Sequence, residues 1–341
     1  MRPLLLAPLL VSLTLPVMAK DNVTADAPVY GPRLEGFDYP WPLHRFKLNS
    51  QQQSLEMMYM DVTPQGEANG DTVVLMHGKN FCAATWESTI EALTRKGYRV
   101  IAPDQIGFCK SSKPEHYQYS LHQLAANTNA LLSHLEIERA TIMGHSMGGM
   151  LATRYALMYP KATYQLVLVD PIGLEDWKAK GVPWQSIDNW YESGKKASAE
   201  KMRAYQKETY YAGQWKPEYD RWVEMQAGMY RGDGRDINAW SQALTYDMVF
   251  NQPVVYEFKD IEVPTLLMIG DKDNTAVGKA LAPENIQKTL GHYDELGPAI
   301  ADQIPDATYV RFEDLGHSPQ VQAPERFHDA LLKWLSQSRQ V

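Results

Sequence analysis

Apolar positions along the chain follow two rhythms. Short, nearly continuous runs at 72–76 (TVVLM), 165–169 (QLVLV) and 264–270 (PTLLMIG) lack the polar alternation of a half-exposed strand. Such runs are expected of parallel strands covered on both faces. Further strands are predicted at 99–102, 141–143 and 308–312. Between them, apolar residues recur at helical spacing over 86–96, 121–135, the stretch following Ser146, and 324–335. Upstream, 45–48 and 55–62 read as two strands joined by a polar turn at 49–54 and ended by Pro64 and Gly66. Eight strands alternating with helices predict an α/β fold: a mostly parallel, doubly wound sheet with helices on both faces.

The alternation stops after Asp170-Pro171 and resumes at Pro264. Residues 174–255 look helical and hold six of the nine tryptophans. They are expected to form a helical cap between the sixth and seventh strands, with a small aromatic core of its own and some aromatics lining a pocket. The core is then 43–173 and 256–341. Residues 20–42 are rich in proline, glycine and aromatics, which predicts an extended segment lying across the surface.

Residues 1–19 change this picture at one end. Arg2, an apolar run from Leu4 to Leu15 and the small-residue site Val17-x-Ala19 describe a signal peptide cleaved after Ala19. The mature protein is expected in the periplasm or outside the cell, with no stable membrane anchor. Composition alters little: 341 residues, 44% hydrophobic, 22% charged and a net charge of −8 suit a globular protein. Without basic clusters they argue against nucleic-acid partners.

Candidate chemistry lies at strand ends. Gly144-His145-Ser146-Met147-Gly148-Gly149 joins a strand to a helix through a turn with a serine at its apex, and glycines two residues to either side permit the tight bend. Alone, G-x-S-x-G is a weak signal. The loop after 264–269 adds Gly270-Asp271-Lys272-Asp273, and the loop after 308–312 adds Glu313-Asp314-Leu315-Gly316-His317. In a parallel sheet these loops share the edge at the carboxyl ends of the strands. With His77-Gly78-Lys79-Asn80 after the third strand and Pro103-Asp104-Gln105-Ile106-Gly107-Phe108-Cys109-Lys110-Ser111 after the fourth, five motifs stand in the order of one fold. The chain resembles the α/β-hydrolases, in the branch with a cap between strands six and seven. Cys109 departs from that pattern, standing where a second glycine is usual.

The resemblance implies Ser146 as nucleophile, His317 as base and Asp273 as the carboxylate orienting it, with Asp271 the fallback. Serine needs a base to be nucleophilic at neutral pH, and imidazole titrates there. The oxyanion hole would use the amides of Met147 and Lys79, with Asn80 the alternative to Lys79. The Lys79 ammonium could favour anionic substrates; the expectation is that it reaches solvent. His77 and His145 are expected to shape the backbone, and Asp314 to face solvent. Cys82 and Cys109 fall in neighbouring loops and could form a disulfide at the pocket rim or remain buried thiols.

The implied activity is hydrolysis of a small to medium carboxylic ester through an acyl-enzyme, with no metal and no cofactor. The same residues serve C–C bond hydrolases, lactonases, amidases and cofactor-free perhydrolases, and some members of the fold only bind. A serine rather than an aspartate at the turn disfavours haloalkane dehalogenases and epoxide hydrolases.

Overall fold

The computed structural model describes residues 27–337; the leader read at 1–19 lies outside them. One eight-stranded sheet organises the chain: β1 (Leu43–Ser50), β2 (Gln53–Val62), β3 (Thr72–Met76), β4 (Arg99–Pro103), β5 (Ala140–His145), β6 (Thr163–Val169), β7 (Thr265–Gly270) and β8 (Ala307–Phe312). Their spatial order is β1-β2-β4-β3-β5-β6-β7-β8. The pairs β1–β2 and β2–β4 are antiparallel and all later pairs are parallel.

Two cores explain the continuous apolar runs. Val73 and Leu75 of β3 pack into one cluster, and Val74 and Met76 into the other. Helices α1 (Glu87–Arg95) and α11 (Pro324–Gln337) cover the first face through Ile90, Leu93, Phe327 and Leu331. Helices α2 (Leu121–His134), α3 (Met147–Met158) and α9 (Tyr293–Ala301) cover the second through Leu124, Leu131, Leu151, Tyr155 and Ile300. Neither side of a central strand meets water, so no position favours a polar residue.

The hairpin between β1 and β2 is tighter than its sequence suggests. Gln51 and Gln52, with φ of 51° and 61°, form a two-residue turn and let both strands extend beyond 45–48 and 55–62. Left-handed backbone at both positions suits the right-handed strand twist. Glutamine does not advertise it.

Between β6 and β7 the chain leaves the sheet and forms α4 (Ile187–Gly194), α5 (Ala199–Tyr205), α6 (Asp220–Arg231) and α7 (Arg235–Asn251). The short helices α8 (Glu284–Gln287) and α10 (Pro319–Gln322) follow β7 and β8. The Pro- and Gly-rich N-terminal segment ties this insertion to the sheet. On one side the Tyr30 amide donates to the Gly228 carbonyl (3.0 Å), and Arg231 donates to the Pro28 carbonyl (2.9 Å). On the other, the Tyr39 hydroxyl donates to Asp104 Oδ2 (2.6 Å), while Arg33 pairs with Glu56 (3.0 Å) and donates to the Lys110 carbonyl. Asp104 is fully buried and also accepts from the amides of Ala83 and Lys110, so one carboxylate joins the loops after β3 and β4.

Those loops carry the cysteines. Because β3 and β4 are neighbours, the Cys82 and Cys109 sulfurs lie at bonding distance, with Cα atoms 5.9 Å apart. Cys109 has φ of 47°, which accounts for glycine being usual there.

Candidate active site

Ser146 sits between β5 and α3 with φ 58° and ψ −122°, a conformation L residues rarely adopt. Its amide donates to the Val169 carbonyl (3.1 Å), and its carbonyl accepts from the Ile172 amide (3.2 Å), so the end of β6 and the loop after it hold the strained turn. A Cβ on Gly148 would run into the carbonyls of Met76 and His77, which makes glycine obligatory where α3 crosses the end of β3.

The structure brings Ser146, His317 and Asp273 together. Ser146 Oγ lies 2.8 Å from His317 Nε2, and His317 Nδ1 lies 2.6 Å from Asp273 Oδ2. All three are buried, with Ser146 5% exposed. The other Asp273 oxygen, Oδ1, accepts from the Thr275 amide (2.8 Å) and hydroxyl (2.6 Å). With Oδ1 filled, Oδ2 is left to take the Nδ1 proton. The ring's Nε2 then keeps its lone pair toward Ser146, the tautomer a general base requires. Asp271, the fallback, points away and pairs with Arg311. Asp314 pairs with Arg326 at the surface.

His77 and His145, also buried, hold backbone, as expected. The Gln105 amide donates to His77 Nε2 (3.0 Å), so the ring proton sits on Nδ1, facing the Gly78 carbonyl (2.8 Å). His145 Nε2 donates to the His317 carbonyl (2.7 Å). Burial, reinforced by His317 4.9 Å away between ring centroids, holds the His145 pKa well below its ordinary value, so the ring is a neutral donor.

The sequence gives no hint of Asp170. It ends β6, is fully buried, and accepts from the Gly270 amide (2.8 Å). Burial and then the neighbouring Asp273 charge raise its pKa well above the carboxylate range. Burial beside Asp273 thus favours its protonated form. Thr275 is likewise not singled out by its sequence, although an aspartate bonding the amide two residues on is a familiar turn.

At the opposite side of Ser146, the loop after β3 presses close. A Cβ on Gly78 would lie 3.1 Å from Ser146 Cβ. The amides of Met147, Lys79 and Asn80 donate to no oxygen among the described residues. The Lys79 side chain corrects its reading from sequence. It does not reach solvent but is 6% exposed, directed toward α7, where Nζ donates to the Gln242 carbonyl (3.0 Å) and side-chain oxygen and lies 3.7 Å from the Tyr246 ring centroid. The reason is tertiary: α7 lies over the loop and closes the route outward.

The insertion also closes over the histidine. Residues 206–210 form a π turn in which the Tyr211 amide donates to the Gln206 carbonyl (3.1 Å). The carbonyls of Thr209 and Tyr210 accept from the amides of His317 (3.2 Å) and Ser318 (3.3 Å). A side chain on Gly316 would meet the Tyr210 carbonyl at 2.7 Å, which explains the glycine before His317. The Tyr210 ring covers His317 at 4.9 Å, and its hydroxyl accepts from Asn80 Nδ2 (2.9 Å). Next to these residues lie cavities of about 560 and 270 Å³, sharing the walls Trp190, Tyr205 and Tyr246.

A sheet of this topology with a serine, histidine and aspartate on one edge defines a class of hydrolytic enzymes. The chain belongs to the alpha/beta hydrolase fold family, whose pattern matches residues 71–324. A crystal structure of a probable hydrolytic enzyme from Pseudomonas aeruginosa PAO1 is similar with a TM-score of 0.89 and 64% identity, over 90% of this chain and 98% of that one. "Lipase 1" of Psychrobacter immobilis is 28% identical over 80% of this chain and 78% of its own. A thermophilic esterase from Thermogutta terrifontis shares the fold with a TM-score of 0.65 at 21% identity, over 86% of this chain and 99% of that one. The protein is a hydrolytic enzyme of this fold.

Proposed function

We propose that the protein is a serine hydrolase acting on small to medium carboxylic esters. The observation that carries this reading is the unbroken chain from Asp273 through His317 to Ser146, at 2.6 and 2.8 Å. Ser146 Oγ attacks the carbonyl carbon as His317 Nε2 takes its proton. Asp273 stabilises the imidazolium, and the amides of Met147 and Lys79 receive the oxyanion. Collapse expels the alcohol, which takes the proton back from His317. Water, deprotonated by the same nitrogen, then attacks the acyl-enzyme and releases the acid.

Residues 174–255 serve as a lid in this reading. With Ser146 buried, substrate reaches it past Tyr205 and Tyr210, and closure excludes water from the reacting carbonyl. The expected outcome of a substrate panel is turnover of 4-nitrophenyl esters with short to medium acyl chains, and far slower turnover of amides. Hydrolysis of lactones or C–C bonds in preference to every ester would replace the ester assignment.

A disulfide between Cys82 and Cys109 and a cleaved leader at 1–19 would together fit export to an oxidising compartment, periplasmic or extracellular. Among the described residues no helix is long and apolar enough to cross a membrane. Protein purified without reductant and then denatured should show no free thiol; two thiols per chain would mean that Cys82 and Cys109 are not joined.

A further inference from the structure

The smaller cavity, of about 270 Å³, has no Asp or Glu among its lining residues, and neither has the larger. Its polar lining residues include Asn80, Gln206, Gln226, Gln242 and Tyr246. Two groups, one in that lining and one behind it, are left unresolved by the protein itself. Gln206 is 1% exposed, yet neither its nitrogen nor its side-chain oxygen meets a hydrogen-bond partner among the described residues. A buried amide without partners is costly and points to a ligand that supplies them.

The second group is Lys79. Its ammonium lies behind Gln242 and Tyr246, and no carboxylate is within ion-pair distance among the described residues. Its acceptors are neutral: two oxygens of Gln242 and an aromatic face. Burial alone pushes its pKa well below the usual ammonium range, with no nearby acid to offset the lost hydration. Burial disfavours the charged form of the amine, and an arriving anion would supply the counter-charge that restores it. Gln242 both holds Nζ and lines the cavity, so its side-chain oxygen occupies a place that an anionic oxygen could take.

The cavity is also placed to matter for catalysis. Asn80 joins it to the loop beside Ser146, and the Asn80 amide group donates to Tyr210, the residue over His317. We infer that this cavity receives a carboxylate carried by the substrate, with Lys79 as counter-charge and Gln206 as hydrogen-bond donor, so that the preferred substrates are anionic esters. One buried cation matches one negative charge, and planar amide donors suit a carboxylate. The inference rests on the serine-hydrolase reading above and names its substrate class.

The test compares kcat/KM for each acid with that for its methyl ester. Mono-4-nitrophenyl glutarate places the carboxylate on the acyl side, and 4-acetoxybenzoate places it on the leaving group. Both members of a pair use the same oxyanion hole, so any effect on the Lys79 backbone cancels in the ratio. In the wild-type enzyme the acid should be preferred by about tenfold or more in one arm, since a site built for a polar group discriminates against its absence. Lys79→Met should bring that ratio to about one, and Gln206→Leu should lower it by about threefold or more, both mainly through KM. A wild-type ratio near or below one in both arms overturns the inference, as does a ratio that both variants leave unchanged. Should Lys79→Met fail to fold, the wild-type ratio and Gln206→Leu still decide. Hydrolysis of the methyl esters that needs Ser146 but shows no preference for the acids defeats this inference alone. If no ester is hydrolysed and Ser146 takes no serine-directed label, the serine-hydrolase reading fails first.

Discussion

Ser146→Ala is expected to lower kcat for an activated ester by a factor on the order of 10⁴–10⁶ while leaving the fold intact. The size follows from what is lost. Without Oγ no covalent intermediate forms, and His317 and Asp273 have no nucleophile to serve. The remaining rate comes from binding and the oxyanion amides. The fold should tolerate the change, because the turn is held by backbone bonds to Val169 and Ile172 rather than by the hydroxyl. Steady-state turnover of 4-nitrophenyl butyrate, with melting temperature as the control, reads both quantities. A variant retaining a tenth of wild-type activity would remove Ser146 from the mechanism.

Asp273→Asn should cost about 10³–10⁴ in kcat with little change in KM. Thr275 determines why. Its amide and hydroxyl both donate to Oδ1, so an asparagine at 273 keeps its carbonyl oxygen on that side. The new NH₂ then faces His317 Nδ1, which must become an acceptor. The ring proton moves to Nε2, where it confronts Ser146 Oγ and blocks proton abstraction. Asp271→Asn breaks only the ion pair with Arg311, half exposed at the edge of the sheet, and should keep activity within about tenfold. The opposite result, a large loss at 271 and a small one at 273, would exchange their roles.

Much of this site is legible in the chain because it depends on strand ends. A run such as 264–270 declares a buried strand, and the residues following it must emerge at the sheet's carboxyl edge. Ser146, Asp273 and His317 each follow such a strand, so topology alone gathers them. The strand order that the resemblance implies sets β3 beside β4, and with it the loop of Cys82 beside that of Cys109.

What stayed illegible depends on elements distant in sequence. Lys79 reads as a side chain that should reach water, and only the position of α7, more than 150 residues on, turns it inward. Asp170 looks like the end of a strand; its raised pKa comes from burial and then from the Asp273 charge. Nothing near Gln206 says that its amide will be buried without partners, and nothing near Tyr210 says that its ring will cover His317. Aromatics of the insertion share one composition whether they fill its core, as Tyr219 does, or line a cavity, as Trp190 does.

The central claim is that Ser146 is the nucleophile, and covalent capture tests it most directly. Protein treated with a fluorophosphonate, digested and sequenced by mass spectrometry should carry a single adduct on Ser146, and Ser146→Ala should carry none. An adduct on another residue, or labelling that persists in Ser146→Ala, would contradict the account.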